Sequence, residues 1–454
     1  MLNKPFQDIS FHGRQWIIVY IYLPPQLIRA DFPEFQRVLV PRRRRWLRRL
    51  WLGVQLPLDR PYRHSGPGVE RANGTDEQSK IFTTAIWELF MILKEWESKD
   101  QTPFGQTSFT LILSAWVSPF DIQFLRSNCN LLDPYLEHNH RDAIHNCNHC
   151  SPLQCRCYES PDMSTMYPSL QMFGIGPLKI DLSQINTDPS FRLPKLNSVT
   201  GFTIPREFYG SILTVRPIVQ SFPNLQHISL EQWRRPERYH GDEYAVLRQV
   251  VKALPPRLQS FSAILDADVM LAAAYGSQRR LGEGDVAFAH KLRKASYQFR
   301  NIDVFFFMDA KYFFATFMSG SSGEEDWPNL ESFSMTSNLL SSRSRDSYSD
   351  LLQGAAKAAL RMPKLRMLQI WFGYDDELCI FCYTKDQEGP LIEWKRTRTA
   401  PKGPGEEVVE AWQSVANKTR NHSIRIKQVS ITHTKAQHLR SVHPVIWEPD
   451  GLTL

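Results

Sequence analysis

The chain has 454 residues, of which 42% are hydrophobic and 12% aromatic, and this excludes a largely disordered protein. Its net charge of +7 is local, because the six arginines between Arg42 and Arg49 supply most of it. A general nucleic-acid-binding surface, which spreads lysine and arginine over a whole face, is therefore not indicated.

Apolar runs and cysteines point to a reducing compartment without a membrane anchor. The run 16–25 is shorter than the roughly 20 residues that span a bilayer, and it lacks the layout of a signal peptide. The seven cysteines are an odd number, and five of them lie between 129 and 157, unlike the bridges of a disulfide-stapled extracellular fold. We expect a cytoplasmic or nuclear protein with no membrane partner.

The arginine run Arg42–Arg49 has two interpretations. It forms the basic edge of a strand or helix, with Trp46, Leu47 and Leu50 packed inward. Alternatively, it is an exposed nuclear-import signal or a patch that contacts phosphate groups. Both interpretations stay open from the sequence.

A strand–helix–strand pattern follows the arginine run. WLGVQLPL from Trp51 and SFTLILSAW from Ser108 predict strands, and the spacing of apolar residues over 81–96 predicts an amphipathic helix between them. This order of elements fits an early, divergent repeat.

A polar insertion is predicted at about 128–161, and it contains the sharpest candidate for a metal site. Cys147 and Cys150 are followed closely by Cys155 and Cys157, and thiolates at such spacing bind zinc. Structural zinc sites usually place the second ligand pair a dozen or more residues away, which favours an exposed insertion that bears cysteines. The candidate ligands are His138, His140, His145, Cys147, His149, Cys150, Cys155 and Cys157.

Beyond the insertion, the phrase Pro-x-Leu followed by alternating apolar residues recurs at intervals of about 26 to 36 residues. In each copy we expect proline and a polar residue to make a turn, leucine to point inward and the alternating tail to form a short strand. Copies start at Pro168, Pro194, Pro223, Pro256, Pro328 and Pro363, with a degenerate copy from Phe299.

Segments with helical spacing separate the copies. They are predicted over 211–222, 244–254, 348–362 and 406–415. Stacked strand–helix units bury a continuous core and align their strands. We predict an α/β fold, a leucine-rich-repeat-like solenoid with short parallel strands and intervening helices.

No catalytic or cofactor-binding motif is found, so we expect a protein that is not an enzyme and binds no cofactor. Cys379 and Cys382 lie in an apolar strand and face opposite sides, which favours buried core cysteines over a redox or zinc pair. A carboxylate pair at Asp266 and Asp268 is more typical of a solvated turn than of a cation site.

Aromatic residues near strand ends are candidate binding anchors, although most are expected in the core. They are Trp233, Trp327, Trp371 and Phe372.

The phrases PNLQHISLEQWRRPERYHGDEY, KALPPRLQSFSAILD, WPNLESFSMTSNLL, AALRMPKLRMLQIWFG and EEVVEAWQSVA resemble the leucine-rich-repeat-like region of fungal F-box proteins. The resemblance runs from about Pro33 to the C-terminus and implies a domain over 33–454. In that family an F-box docks a Skp-type adaptor of a cullin ubiquitin ligase, and the repeats hold the substrate. Residues 1–32 contain no Leu-Pro-x-Glu-Ile phrase, so this atypical segment has no recognisable F-box.

The resemblance implies a non-enzymatic scaffold that binds an unidentified protein partner, as a substrate receptor does. The alternative is a nuclear or nucleic-acid-associated repeat protein that uses the run Arg42–Arg49.

Overall fold

The computed structural model describes residues 17–23, 31–56, 72–99, 108–116, 178, 180–188, 190–205, 215–233, 243–266, 286–319, 326–341, 348–374, 377–420 and 423–431. Within them, one open sheet of twelve strands has a spatial order that follows the chain. The strands are β1 (Ile17–Leu23), β2 (Leu47–Gln55), β3 (Phe109–Trp116), β4 (Val199–Ile204), β5 (His227–Trp233), β6 (Ser260–Asp266), β7 (Asn301–Phe305), β8 (Ser332–Thr336), β9 (Met367–Tyr374), β10 (Glu377–Asp386), β11 (Gly389–Arg396) and β12 (Arg425–Ser430).

Helices alternate with the strands over most of the described chain. They are α1 (Asp31–Val38), α2 (Pro41–Arg44), α3 (Ala72–Lys99), α4 (Val215–Gln220), α5 (Glu243–Ala253), α6 (Val286–Ala295), α7 (Ala310–Phe313), α8 (Ala315–Met318), α9 (Tyr348–Ala359) and α10 (Glu406–Arg420). Short 3-10 turns occupy Leu182–Gln184, Ser296–Gln298 and Asn338–Leu340.

The connections between the strands make the two faces of the sheet different. β10 pairs antiparallel with β9 and with β11, and the other described neighbours are parallel. Parallel neighbours need crossover connections, and right-handed crossovers between successive strands place their helices on the same side. One face of the sheet is thus covered by helices. We call the other the helix-free face, since no described helix packs its core side chains there.

The main core lies between the sheet and its helices. Alternate residues of a strand, such as Ile228 and Leu230 of β5, are buried in the same hydrophobic cluster as Leu247 and Val250 of α5. The apolar residues at helical spacing on α5 and those at every second position of β5 therefore form one apolar layer.

The Pro-x-Leu phrases behave as predicted wherever the structure describes them. Those from Pro194, Pro223, Pro256, Pro328 and Pro363 lead into β4, β5, β6, β8 and β9. Their leucines are all buried: Leu196, Leu225, Leu258, Leu330 and Leu365. Phe299 takes the same place before β7 and is also buried. The phrase from Pro168 lies outside the described residues.

Backbone hydrogen bonds at the start of the strands form a ladder that holds successive strands in register. The N–H groups of Gln259 and Ser260 both donate to the Gln226 carbonyl, at 2.8 and 2.9 Å. One repeat later, Arg300 and Asn301 donate to the Gln259 carbonyl in the same way, at 2.7 and 3.0 Å. Equivalent side chains of successive strands therefore line up in rows across the sheet.

The structure confirms an α/β protein with mostly parallel strands and intervening helices. The helices predicted over 244–254, 348–362 and 406–415 are α5, α9 and α10, and α4 lies within 211–222. The helix predicted over 81–96 is α3, which begins earlier, at Ala72.

Candidate functional site on the helix-free face

A row of short polar side chains crosses the middle of the helix-free face. Backbone register aligns one residue from each strand from β4 to β9, and each lies between two core residues of its own strand. We call this set the polar row. Its members are Thr203, Ser229, Ser262, Asp303, Ser334 and Gln369.

Asp303 is the charged member of the polar row, and it lies between Ser262 on β6 and Ser334 on β8. Ser334 Oγ donates to Gln369 Oε1 at 2.9 Å. Among the described residues, no donor or cation contacts the Asp303 carboxylate. Because burial disfavours the charged form, the pKa of Asp303 is raised to about 7.

The charges around Asp303 do not compensate it. Among the described side chains of β4 to β9, this face carries Glu231 but no lysine or arginine. Burial lowers the pKa of His227, so its imidazole is uncharged at neutral pH. Among the described residues of this face, none therefore brings an opposite charge to Asp303.

Basic side chains lie instead at the far end of the sheet, on β11 and β12. There Glu393 is held by Lys395 at 2.9 Å and by Lys427 at 3.2 Å. These two ion pairs lower the pKa of Glu393 against the opposing effect of its burial, which is the largest single cause. An acid of the helix-free face thus has cationic partners there, unlike Asp303.

An aromatic cluster lies beside the polar row, at the carboxyl ends of the central parallel strands. The ring of Trp371 lies 5.5 Å from the ring of Phe305 and 5.2 Å from that of Phe306, both edge-on. The remaining members are Ile264, Leu378, Ile380 and Ile431. Because Phe305 follows Asp303 by two residues, the cluster begins about 7 Å along the strand from the carboxylate.

Two groups in the aromatic cluster are in energetically unfavourable states, the backbone of Phe306 and the indole N–H of Trp371. Phe306 has φ of 64°, in the left-handed region that bulky residues rarely occupy. Its N–H donates to Thr336 Oγ1 at 2.8 Å, which helps to hold this conformation. Trp371 is only 6% exposed, and no described residue accepts a hydrogen bond from its indole N–H. Strained backbone and unpaired buried donors concentrate at binding sites.

The turn after β7 is fixed by Asp309. One of its carboxylate oxygens accepts from Ser337 Oγ at 2.6 Å and from Lys311 N–H at 2.9 Å. The other accepts from Asn338 N–H, also at 2.9 Å. Asp309 therefore caps α7 and ties it to the end of β8, which positions Phe306.

The predicted aromatic anchors have different locations. Trp371 lies in the aromatic cluster, whereas Phe372 points into the main core. Trp327 is also core, and its Nε1 donates to Ser296 Oγ at 2.8 Å. The side chain of Trp233 lies outside the described residues.

The arginine run forms α2 and the start of β2. Leu47 and Leu50 are buried, as predicted, but the prediction for Trp46 is wrong because its side chain is 39% exposed. Trp46 lies in the turn between α2 and β2, where the guanidinium of Arg45 lies over its ring at 5.1 Å. Arg44 instead lies over Trp96 at 4.3 Å and donates to the Leu39 carbonyl.

Cys379 and Cys382 are buried on opposite faces of β10, as the spacing predicts. Burial raises the pKa of both thiols, that of Cys382 to about 12. Neither is therefore a reactive thiolate at neutral pH.

The remaining predicted sites lie largely beyond the described residues. This holds for the insertion at 128–161 with Cys147, Cys150, Cys155 and Cys157, and for the side chains of Asp266 and Asp268. In the described part of the chain, no group of three or more His, Cys, Asp or Glu residues is placed to hold a metal ion. No helix found there is long and apolar enough to cross a membrane.

Sequence reasoning missed Asp303 and Phe306. The signal for Asp303 was present, because it is the only acid inside the apolar run from Phe299, FRNIDVFFF. No local signal marks Phe306, since its conformation depends on the turn that Asp309 and Thr336 hold.

The comparisons with known proteins add one family. A model described as a family of unknown function, DUF6546, matches residues 253–446. No F-box or leucine-rich-repeat family model matches. No curated protein and no solved structure matches the chain. The segment similar to DUF6546 includes Asp303 and the whole aromatic cluster.

Proposed function

We propose that the chain is a non-enzymatic protein-interaction module, a leucine-rich-repeat-like solenoid whose helix-free face holds a segment of a partner protein. The strand order supports the solenoid, because each described strand pairs with the strands just before and after it in the chain. The recurring Pro-x-Leu turns and the backbone ladder between them support it as well.

The observation that carries the proposal is the pair of unpartnered groups on the helix-free face. The Asp303 carboxylate and the Trp371 indole N–H both lack a partner among the described residues. An unpaired polar group costs about 1–3 kcal/mol when it is buried, as the Trp371 N–H is, and less when it is partly exposed, as Asp303 is. A partner that supplies a donor or an acceptor recovers part of this cost, so the face is better suited to a complex than to solvent.

The experiment compares a variant in which the helix-free face is blocked with a variant that is changed on the helix-covered side. Ser262→Trp places a large side chain in the polar row, and Gln249→Trp places one on the exposed side of α5. Tagged wild type and both variants are purified from the native host and compared by quantitative mass spectrometry. We expect proteins that co-purify with wild type and with Gln249→Trp to be lost from Ser262→Trp. The same partners with both variants would refute the proposal.

A role as a substrate receptor of a cullin ubiquitin ligase is the finer part of the proposal. It is supported by the resemblance of the repeat phrases to those of F-box proteins. In the same purification we expect a Skp-type adaptor and a cullin. Their absence, with face-dependent partners present, would leave an interaction module without a ligase link.

A nucleic-acid-associated function is the alternative, and the exposure of Arg42, Arg43 and Arg45 favours it. A duplex DNA probe tests it by fluorescence anisotropy. Binding that weakens steeply with salt, and that is lost when these arginines become alanine, would support phosphate contacts. Binding insensitive to salt would exclude them. A fluorescent fusion with the same substitutions tests nuclear import.

A further inference from the structure

We propose that single-stranded nucleic acid binds along the rim of the sheet at which the parallel strands begin, which we call the amino rim. Exposed cations of this rim contact the phosphates, and exposed aromatic rings stack on bases. The inference rests on the nucleic-acid alternative named above, and it extends that alternative from the arginine run to the turns of the repeats. It does not involve the helix-free face.

The turns of the repeats place cations along the amino rim. One turn position lies on either side of each inward leucine, or of Phe299, and the parallel strands β4 to β9 bring all these turns to the same rim. In these positions the described turns carry five cations and one acid, and the other residues are asparagine or glutamine. We call the cations, all of which are exposed, the rim cations: Lys195, Arg257, Arg300, Lys364 and Arg366.

Hydrogen bonds between the turns orient rim cations without neutralising their charge. Arg257 Nη1 donates to Asn224 Oδ1 at 3.0 Å, and Lys364 Nζ donates to Asn329 Oδ1 at 2.9 Å. In both pairs the acceptor is an uncharged amide at the same turn position of the preceding repeat. The positive charge therefore remains available to an anion.

The one acid in these turn positions offsets only part of the charge. Glu331 Oε1 lies 3.8 Å from Arg300 Nε, and the arginine side chain stays 54% exposed. Neighbouring strands are about 4.8 Å apart, so the rim cations extend over about 24 Å from β4 to β9. A line of positive charge on this scale fits the repeating phosphates of a nucleic-acid strand.

The arginine run lies at the same rim. Arg42 and Arg45 are exposed on α2 and in the turn between α2 and β2. Because β2 is parallel to β3, and β3 to β4, this turn and those of the repeats are at one rim of the sheet. The sequence shows concentrated charge only at Arg42–Arg49, since the rim cations are far apart along the chain. Stacking of the repeats brings them into one line.

Two exposed aromatic rings favour a single strand over a duplex or an acidic polypeptide. Trp46, directly before β2, is 39% exposed. Tyr297 takes the place of the turn proline before β7, and it is 56% exposed. Unpaired bases stack on such rings, whereas the bases of a duplex are already stacked and a carboxylate offers no aromatic face.

The experiment compares the removal of charge at the amino rim with the same removal elsewhere. The rim variant combines Arg257→Gln, Arg300→Gln and Lys364→Gln. The control variant combines Lys80→Gln on α3, Arg216→Gln on α4 and Arg398→Gln after β11, which are also exposed. Melting temperatures measured by circular dichroism check that both variants keep the fold.

Fluorescence anisotropy measures binding of the full chain to an oligo(dT) of about 20 nucleotides, longer than typical single-strand sites. A duplex and a polyglutamate peptide of similar length are the comparison probes. We expect the rim variant to bind oligo(dT) at least about tenfold more weakly than wild type, and the control variant to match wild type. The slope of log affinity against log salt should decrease by about two, at about 0.7 for each lost phosphate contact.

Substitutions of the aromatic residues test the stacking. Trp46→Ala and Tyr297→Ala should each weaken oligo(dT) binding about fivefold or more, the range of one stacked base, and Trp46→Phe should retain most of the binding. Met91→Ala, at an exposed apolar residue of α3, should leave it unchanged.

The inference would be overturned by a rim variant that binds oligo(dT) as tightly as wild type, or by no binding at all. Duplex or polyglutamate bound as tightly as oligo(dT) would show that charge alone is recognised, against the proposed stacking. If substitution of Arg42, Arg43 and Arg45 abolishes binding and the rim variant does not, the nucleic-acid alternative stands and the inference is wrong. Ser262→Trp should leave oligo(dT) binding intact, so the proposed partner-binding face is tested separately.

Discussion

Replacing Asp303 with asparagine should stabilise the free protein, and the gain should grow with pH. In the folded chain the pKa of Asp303 is about 7, against an ordinary value of 3.8. Between these values the folded state holds a proton that the unfolded state releases, so stability falls as pH rises. Below pH 3.8 both states are protonated and the cost disappears, and above pH 7 the whole cost is present. Asparagine carries no charge at any of these values.

The magnitude follows from the pKa difference of about three, at 1.36 kcal/mol for each pKa unit, or about 4 kcal/mol. Because Asp303 is partly exposed, solvent offsets some of the cost, and we expect a gain of about 2 kcal/mol at pH 8. Among the described side chains of the adjacent strands β6 and β8, none on this face is titratable. The pH dependence of the gain therefore reports on Asp303 itself.

The assay is urea unfolding followed by tryptophan fluorescence at pH 4.5, 6, 7 and 8, for wild type, Asp303→Asn and the control Glu410→Gln. Other groups titrate equally in wild type and variant, so their contributions cancel in the difference. A gain that is the same at pH 4.5 and pH 8 would show that Asp303 is not an uncompensated buried carboxylate. A variant less stable than wild type at pH 8 would show that the carboxylate has a favourable partner.

Two substitutions and one labelling experiment test the contacts that support the fold. Asp309→Ala removes the cap of α7 and the acceptor of Ser337, and it should lower the free energy of unfolding by about 2–3 kcal/mol in urea unfolding. Gly354→Ala should lower the melting temperature measured by circular dichroism, because the added carbon would lie 2.8 Å from the side chain of Met318. In the native protein, Cys382 should resist a maleimide and react only after denaturation, as peptide mass spectrometry would show.

Each of these three tests has a control or a result that would contradict it. Gly405→Ala adds the same carbon where nothing lies within 4 Å, so its melting temperature should stay near that of wild type. Loss of stability equal to that of Gly354→Ala would contradict the packing argument. Full stability of Asp309→Ala, or rapid labelling of native Cys382, would likewise contradict the contacts assigned to those residues.

The repeated part of the fold follows from the sequence because its signals are local. A proline turn, an inward leucine and an alternating tail lie within a few residues, and even the degenerate copy from Phe299 predicts β7 correctly. The antiparallel β9–β10–β11 arrangement was not predicted, since an alternating pattern does not show strand direction. The exposure of Trp46 was missed because it depends on where α2 ends.

The candidate site was less predictable because its contacts join distant parts of the chain. Trp371 on β9 reaches across β8 to Phe305 on β7, a contact that no local pattern contains. From the alternation of polar and apolar residues, Asp303 is expected to be an ordinary polar position of a strand. Its unusual pKa arises from the surrounding strands, and its lack of a partner is a property of the assembled face.

The backbone ladder has a consequence for how the protein gains and loses structure. From β4 to β9 each strand pairs with its neighbours in the chain, so forming the next pair closes a comparatively short loop, and structure can grow from any folded pair. Loss of one strand should divide the sheet. A substitution that unpairs β7 interrupts the ladder at Gln259, and it leaves β5 and β6 on one side and β8 and β9 on the other. Hydrogen exchange would then show two separately protected blocks, with the polar row divided between them.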